Sequence, residues 1–446
     1  MTNFKNLSFS QKKYFYSIIL SALIIKIFLV FTLPAEIRSD SLDYHRIAVN
    51  LVKLGEYSFE SGKPTANFSC GYPLFLAGVY EIFGTEQIAV RLINSFLEIF
   101  TGIFFFLICL KLFDEKWSLI ALAIFTFFPS NILFSQTVLT EPVFGMLAMV
   151  LLYYCLNENI NYKIFFIGLI WGYAILIRSS FSLSVFLMLI YIFKFRKQLF
   201  EGFKEKRIKR VVQYSVLFLL GLVLVISPWL IRNKTTLNTF TIATQGGFTF
   251  WSGSNPNATG TWYYKIEESN PMFNISDEVE RDRVFYKEGI NYALKNPYKF
   301  IITGFKKIGY LFSSERLILL YFTKGDSGGK TSTDVYKSIN PFLIALINIP
   351  YFAVMLMGAW GLLAFKKKRF FLYGFIITWM ITFFLFVALA RYHYVLIPFF
   401  VLGTVKLLMD GKLIWKELSI TKKIIAIVFN LFLLGVWTSE FYLMYR

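Results

Sequence analysis

The strongest constraint in this sequence is a recurrence of form. Apolar runs of about twenty residues alternate with short, basic stretches along nearly the whole chain. An α-helix rises 1.5 Å per residue, so about 20 apolar residues cross the roughly 30 Å hydrocarbon core of a bilayer. Backbone amides in lipid must be satisfied within the segment, which makes such runs helices. In order, they cover residues 14–34, 88–113, 117–133, 142–156, a run ending at Arg178, and 181–195. Then come 211–231, 342–365, a run ending at Arg391, its successor, and a last run before the C-terminus. The expected fold class is an all-α polytopic membrane protein of about eleven transmembrane helices.

Composition agrees. Charged residues make up only 16% of the 446, against roughly a quarter in soluble domains, and 56% are hydrophobic. The 52 Phe and 26 Tyr suit a lipid-facing surface with interfacial belts. A net charge of +19 would point to nucleic acid in a soluble protein. Here the excess lies in short loops, including 194–210 with eight Lys and Arg in seventeen residues, and KKKR at 366–369. The positive-inside rule places those loops and the N-terminus in the cytoplasm, so nucleic acid is not an expected partner. No small-residue cleavage pattern follows the first run, which therefore reads as a retained helix. Three cysteines and two distant histidines show no ligand spacing, and no metal site is indicated.

The chain divides into a cytoplasmic N-terminus with the first span (1–34), a first outer loop (35–87), a core of six spans (88–231), a long outer segment (232–340) and C-terminal spans (341–446). Three stretches outside the spans, beginning near Leu42, Tyr72 and Asn296, carry helical apolar patterns and are expected at the membrane surface.

This topology gathers ionisable residues at the outer ends of the helices: Asp40, Asp43 and Glu141, with Arg38, Arg91, Arg178, Arg232 and Arg391. A guanidinium suits phosphate bidentately and stays charged at any working pH, while a carboxylate beside it accepts a proton from an attacking hydroxyl or amine. Acid and arginines at a lipid-accessible rim point to transfer from a lipid phosphate. Blander readings stand beside this one. Each arginine is also placed to anchor a helix end, Asp40 to cap the helix that follows it, and Glu141 to face the positive end of a helix dipole.

The residues resemble the GT-C membrane glycosyltransferases, in particular the branch of protein O-mannosyltransferases and lipid A aminoarabinose transferases. Six pieces occur in order: Asp40 with Tyr44 and Ala48; GYPLFLAGVYEIFG followed by AVRLIN; TEP at 140–142; ILIRSS at 175–180; residues 232–263; and ARYHYVLIPF at 390–399. The chain departs from the family pattern at Cys70, where proline is common, and at Asp40-Ser41, where Asp-Glu is common. Asp43 therefore stands beside Asp40 as a candidate base.

The resemblance implies a GT-C-type bundle, and the Asn-, Ile-, Lys- and Phe-rich composition points to a bacterial inner membrane. The resemblance further implies a polyprenyl-phosphate sugar as donor, with a lipid, glycan or protein as acceptor on the extracytoplasmic face. Asp40 would deprotonate the acceptor and Glu141 would orient it. Arg178 and Arg391, with Arg232 and Arg91 behind them, would bind the donor phosphate. Tyr72, Gly246, Gly247, Gly253 and Asn255 would shape a loop over the substrate. No tightly bound cofactor is implied, although a divalent metal is compatible. The competing readings are a flippase of lipid-linked sugars and an enzyme that transfers a whole oligosaccharide.

Overall fold

The computed structural model describes residues 4, 7–34, 36–157, 163–199, 207–261, 270–323, 332–366 and 368–445. Residues 158–162, 200–206 and 367, expected in basic inner loops, and 262–263, expected in the segment after the seventh span, lie outside them.

A single long helix opens the bundle. α1 (Phe9–Thr32) starts at a capping box, in which the Ser8 hydroxyl accepts from the Gln11 amide at 3.2 Å and the Gln11 side chain accepts from the Ser8 amide at 2.8 Å. The stretch between the first two long helices then folds into α2 (Asp40–Leu54), a hairpin of β1 (Ser58–Glu60) with β2 (Lys63–Pro64), and α3 (Gly71–Phe83). The hairpin is antiparallel, pairing Ser58 with Pro64 and Glu60 with Lys63. Gly62 at its tip has φ +75°, a conformation that costs glycine little.

The core follows as α4 (Gln87–Leu112), α5 (Glu115–Thr126), α6 (Pro129–Phe134), α7 (Glu141–Cys155), α8 (Ile164–Ile177), α9 (Val185–Lys194), α10 (Arg196–Leu199) and α11 (Arg207–Leu237). The outer segment carries α12 (Gly246–Ser252), α13 (Glu278–Lys295), α14 (Pro297–Leu311), α15 (Arg316–Leu320) and α16 (Ser332–Lys337). The chain closes with α17 (Pro341–Ala364), α18 (Arg369–Leu385), α19 (Ile397–Asp410), α20 (Lys412–Glu417) and α21 (Ile420–Tyr445). All three stretches expected as surface helices are helical: α2, α3 and α14.

Six helices among the described residues are long and apolar enough to cross a membrane: α1, α4, α11, α17, Ala390–Asp410 and α21. Four shorter apolar helices of 10–17 residues join them. Three expected spans are interrupted. The run 117–133 breaks at Pro129, which has no amide hydrogen to donate and holds Phe128 extended (φ −63°, ψ 128°). The run after Arg178 begins with a 3-10 turn (Ser179–Ser184). The run expected to reach Arg391 stops at Leu385, and a second 3-10 turn (Ala390–Leu396) leads into α19.

Glycines let helix pairs approach until backbones touch. A Cβ at Gly221 of α11 would lie 2.3 Å from the Phe165 carbonyl oxygen of α8, and one at Gly361 of α17 would lie 1.7 Å from that of Gly403 in α19. Lipid offers no hydrophobic drive between helices, so close packing of this kind supplies the cohesion. One continuous core of buried apolar side chains runs through α2, α3 and the bundle from α4 to α19.

Candidate active site at one end of the bundle

Four charged side chains from four separate stretches converge where helices end. Asp40 is in the first turn of α2, Glu141 opens α7, Arg178 follows the last residue of α8, and Arg391 sits in the 3-10 turn before α19. Arg178 Nη2 donates to Glu141 Oε1 at 2.8 Å, and Arg178 Nε donates to the Thr140 hydroxyl at 3.0 Å. Arg391 Nη2 donates to Asp40 Oδ2. Its Nε stands 3.8 Å from the same Glu141 oxygen that Arg178 holds, beyond hydrogen-bonding distance. The Glu141 side chain is wholly buried, those of Arg178 and Arg391 are 9% and 8% exposed, and that of Asp40 is 28% exposed. The cluster is therefore closed on the protein side and opens at Asp40.

Local structure explains the placement of Asp40. Ser39 occupies the cap position of α2 with φ 51° and ψ −131°, a strained conformation for a residue with a side chain. The Ser41 hydroxyl accepts from the Arg38 amide at 2.7 Å and donates to the Arg38 carbonyl at 2.6 Å, which pins the turn. Arg38 in turn donates to the carbonyls of Leu320 (3.1 Å) and Thr323 (2.8 Å). Asp40 does not cap the helix, because its carboxylate is turned toward Arg391.

Aromatic rings wall the cluster. The Arg178 guanidinium lies 4.9 Å from the Tyr392 ring centroid and 5.9 Å from that of Phe144. The Tyr321 hydroxyl is 3.4 Å from Arg391 Nη1. Tyr44, one turn after Asp40, meets Tyr72 edge-on at 5.1 Å and Phe68 at 4.9 Å. Three buried polar atoms here have no hydrogen-bond partner among the described residues: Arg178 Nη1, Arg391 Nε and the Tyr72 hydroxyl. Buried donors are almost always paired, so these three mark where a ligand would supply acceptors.

The remaining expected site residues lie apart from this cluster. Asp43 is half-buried in the same first turn, without an ion pair of its own among the described residues. Burial pushes its carboxyl up, the neighbouring Asp40 charge adds to that, and Arg46 opposes it. Arg91 donates to the Leu29 and Leu33 carbonyls and to Gln136, tying α4 to the end of α1. Arg232 donates to the Thr65 and Tyr57 carbonyls and braces the first outer loop.

The glycines of the expected substrate loop are contact points with α13 and α14. A Cβ at Gly246 would fall 2.3 Å from the Tyr286 hydroxyl, one at Gly247 would fall 2.1 Å from the Asp282 carbonyl oxygen, and one at Gly253 would fall 2.3 Å from Lys307 Cε. Asn255 donates to the Trp251 and Ser252 carbonyls and closes α12. This loop does adjoin the stretch leading to Arg391, since the Val387 amide donates to the Thr249 carbonyl at 3.2 Å.

Sequence reasoning passed over several polar residues buried in the bundle: Lys26, Glu98, Lys307, Glu315 and His393. Lys26 donates to the Asn131 carbonyl at 2.6 Å, and Glu98 accepts from the Tyr394 hydroxyl. An ionisable residue inside an apolar run is a signal legible without a structure, and Lys26 and Glu98 both carry it. No group of three or more His, Cys, Asp or Glu among the described residues is placed to hold a metal.

Comparison with solved structures shows the architecture. The chain superposes on the crystal structure of the apo Archaeoglobus fulgidus oligosaccharyltransferase with a TM-score of 0.51 at 13% identity, over 96% of this chain and 55% of that one. The fold is a GT-C fold. A second structure of that group is the archaeal oligosaccharyltransferase AglB from A. fulgidus with an inhibitory peptide and a dolichol-phosphate; its TM-score is 0.49 at 13% identity, over 96% and 55% of the two chains. This chain thus spans about half the length of the solved GT-C structures it matches. Residues 69–231, from just before α3 into α11, match the family described as dolichyl-phosphate-mannose-protein mannosyltransferase. No curated protein is matched by sequence.

Proposed function

We propose that this GT-C chain is a membrane glycosyltransferase that moves a sugar from a polyprenyl-phosphate donor to an acceptor on the extracytoplasmic side of a bacterial inner membrane. The observation that carries this reading is the convergence of Arg178 and Arg391 on Glu141 and Asp40, with Arg178 Nη1 buried and unpartnered. Two arginines and two carboxylates balance each other. A donor phosphate brings a further negative charge, which the vacant donor of Arg178 and an Arg391 drawn off Asp40 would receive.

In the reaction, the Asp40 carboxylate takes the proton of the acceptor hydroxyl or amine. The acceptor atom forms a bond to the anomeric carbon from the face opposite the phosphate, so the configuration inverts. The bond between that carbon and the phosphate oxygen breaks, its electron pair passes to the oxygen, and polyprenyl phosphate leaves. Arg178 and Arg391 stabilise the charge that grows on the leaving phosphate, a kind of contribution worth about 10²–10³ in kcat per donor removed. Glu141 holds Arg178 by a hydrogen bond and faces Arg391 with the same oxygen at 3.8 Å. The sidedness rests on the basic termini of α9, α11 and α18, which lie at the helix ends away from the cluster.

The test is sugar transfer by purified protein in lipid, with a panel of polyprenyl-phosphate monosaccharides and one oligosaccharide donor, and a membrane extract as acceptor. Wild type is expected to consume one monosaccharide donor, and Asp40→Asn to lose about 10²–10³ of that rate. Consumption of the oligosaccharide donor alone would favour the larger-substrate reading. Translocation of donor without its consumption would favour a flippase.

A further inference from the structure

The 3-10 turn Ala390–Leu396 carries Arg391 into the polar cluster, and two residues later it carries His393 in another direction. Three residues make one turn of such a helix, so neighbours two apart point to different sides. His393 is fully buried. Its Nδ1 lies 2.9 Å from the Leu311 carbonyl, which can only accept, so Nδ1 bears the hydrogen. Its ring stacks on Tyr351 at 4.5 Å. Its Nε2 stands 3.1 Å from Glu315 Oε1. The ring edge and the carboxylate are thus in direct contact inside the bundle.

Glu315 is itself fastened. It accepts from the Ser130 hydroxyl of α6, and its amide donates to Asn348 Oδ1 of α17 at 2.9 Å. The neighbouring Ser314 amide donates to Glu440 Oε2 of α21 at 2.8 Å, and the Phe312 carbonyl accepts from Trp437 Nε1 of α21 at 2.8 Å. On the other side of Arg391, Lys307 of α14 donates to the Leu385 carbonyl at 2.8 Å and reaches that of Phe384 at 3.3 Å, at the C-terminal end of α18. Those carbonyls have no partner within their helix, and a cation is the favoured group there. The segment from Leu385 to Arg391 is thus held at both ends by the stretch 307–315.

We infer that Glu315, His393 and Lys307 are positioning residues for Arg391: a brace built from α14 and the turn after it, which sets the guanidinium where an anionic phosphate can take it from Asp40. This inference rests on the reading of Arg391 as a phosphate ligand. The physical point is that the Arg391 segment is irregular backbone between α18 and α19. Neither helix dictates its path, and the brace supplies what helical hydrogen bonding does not.

Hydrogen exchange over residues 387–396 tests the brace without any substrate. Glu315→Leu and Lys307→Met are each expected to speed exchange by about tenfold or more. Glu315→Gln, whose carbonyl can accept from Ser130 and whose side chain keeps the volume packed against His393, is expected to recover most of the protection. A second readout is the affinity for polyprenyl monophosphate, read as a double-mutant cycle. Glu315→Leu is expected to weaken binding about tenfold when Arg391 is present and to have little effect in Arg391→Ala. Unchanged exchange in both Glu315→Leu and Lys307→Met overturns the inference, as does an equal loss of affinity with and without Arg391. If the wild type does not bind the phosphate, the functional reading falls, while the exchange experiment still decides the brace.

Discussion

At the scale of single residues, the ion pair between Asp40 and Arg391 has a kinetic consequence. A carboxylate engaged by a guanidinium is a weak base, and a guanidinium engaged by a carboxylate is a poor phosphate ligand. A donor phosphate that wins Arg391 would free Asp40 in the same event, so binding of the donor and activation of the base are linked. Two results are expected. Initial-rate kinetics should show donor binding before acceptor. Asp40→Asn, although slowed in transfer, should bind polyprenyl monophosphate as tightly as wild type or more tightly, because its arginine is no longer shared; titration in lipid checks this, and a clear loss of affinity would refute the exchange of partners. The sequence alone places Asp40, Glu141, Arg178 and Arg391 at the ends of apolar runs. Arg91 and Arg232 share that placement, and only the family resemblance sets them behind. The two groups differ in what faces them: neutral carbonyl and amide oxygens for Arg91 and Arg232, carboxylates for Arg178 and Arg391. No local pattern records that difference.

At the scale of elements, the contact between α12 and α13 carries a pH dependence. Asp282 Oδ1 accepts from the Gly247 amide at 2.6 Å, and burial pushes its carboxyl up to about 6 from 3.8. A raised carboxyl binds more protons folded than unfolded between about pH 4 and 6, so its contribution to stability falls as pH rises through that window. Asp282→Asn mimics the protonated form. Its melting temperature relative to wild type is therefore expected to rise between pH 5 and pH 8, as read by thermal unfolding in detergent. A constant difference across that range would show that the buried carboxyl does not titrate as stated. The same scale explains the broken spans. Hydropathy averages over a window and passes through Pro129 and the 3-10 turns at Ser179 and Ala390, yet Arg178 and Arg391 sit at those two turns.

At the scale of the whole molecule, every member of the charged cluster lies at one end of the bundle and most of the basic loops lie at the other. Native cysteines are buried, so single introduced cysteines report sidedness cleanly. Ser61→Cys, at the exposed tip of the hairpin, is expected to react with a membrane-impermeant maleimide in intact cells. Lys116→Cys, exposed at the start of α5, is expected to react only after lysis. The reverse pattern would put the cluster in the cytoplasm and remove the proposed donor from its reach.

What the sequence determined by itself is the set of properties that each stretch carries alone. Apolar length marks the long helices, while helical periodicity marks α2, α3 and α14 as helices outside those runs. Only the tertiary structure decided which charges meet. Asp40 and Arg391 are 351 residues apart, and Arg178 and Glu141 are 37 apart on different helices. Their contact depends on helix pairs packed backbone to backbone through glycine, on irregular turns that end helices early, and on Lys307, Glu315 and His393 buried between them. Hydropathy is additive along a chain and so survives in its sequence. Partnership is a property of pairs and comes into being only when the bundle closes.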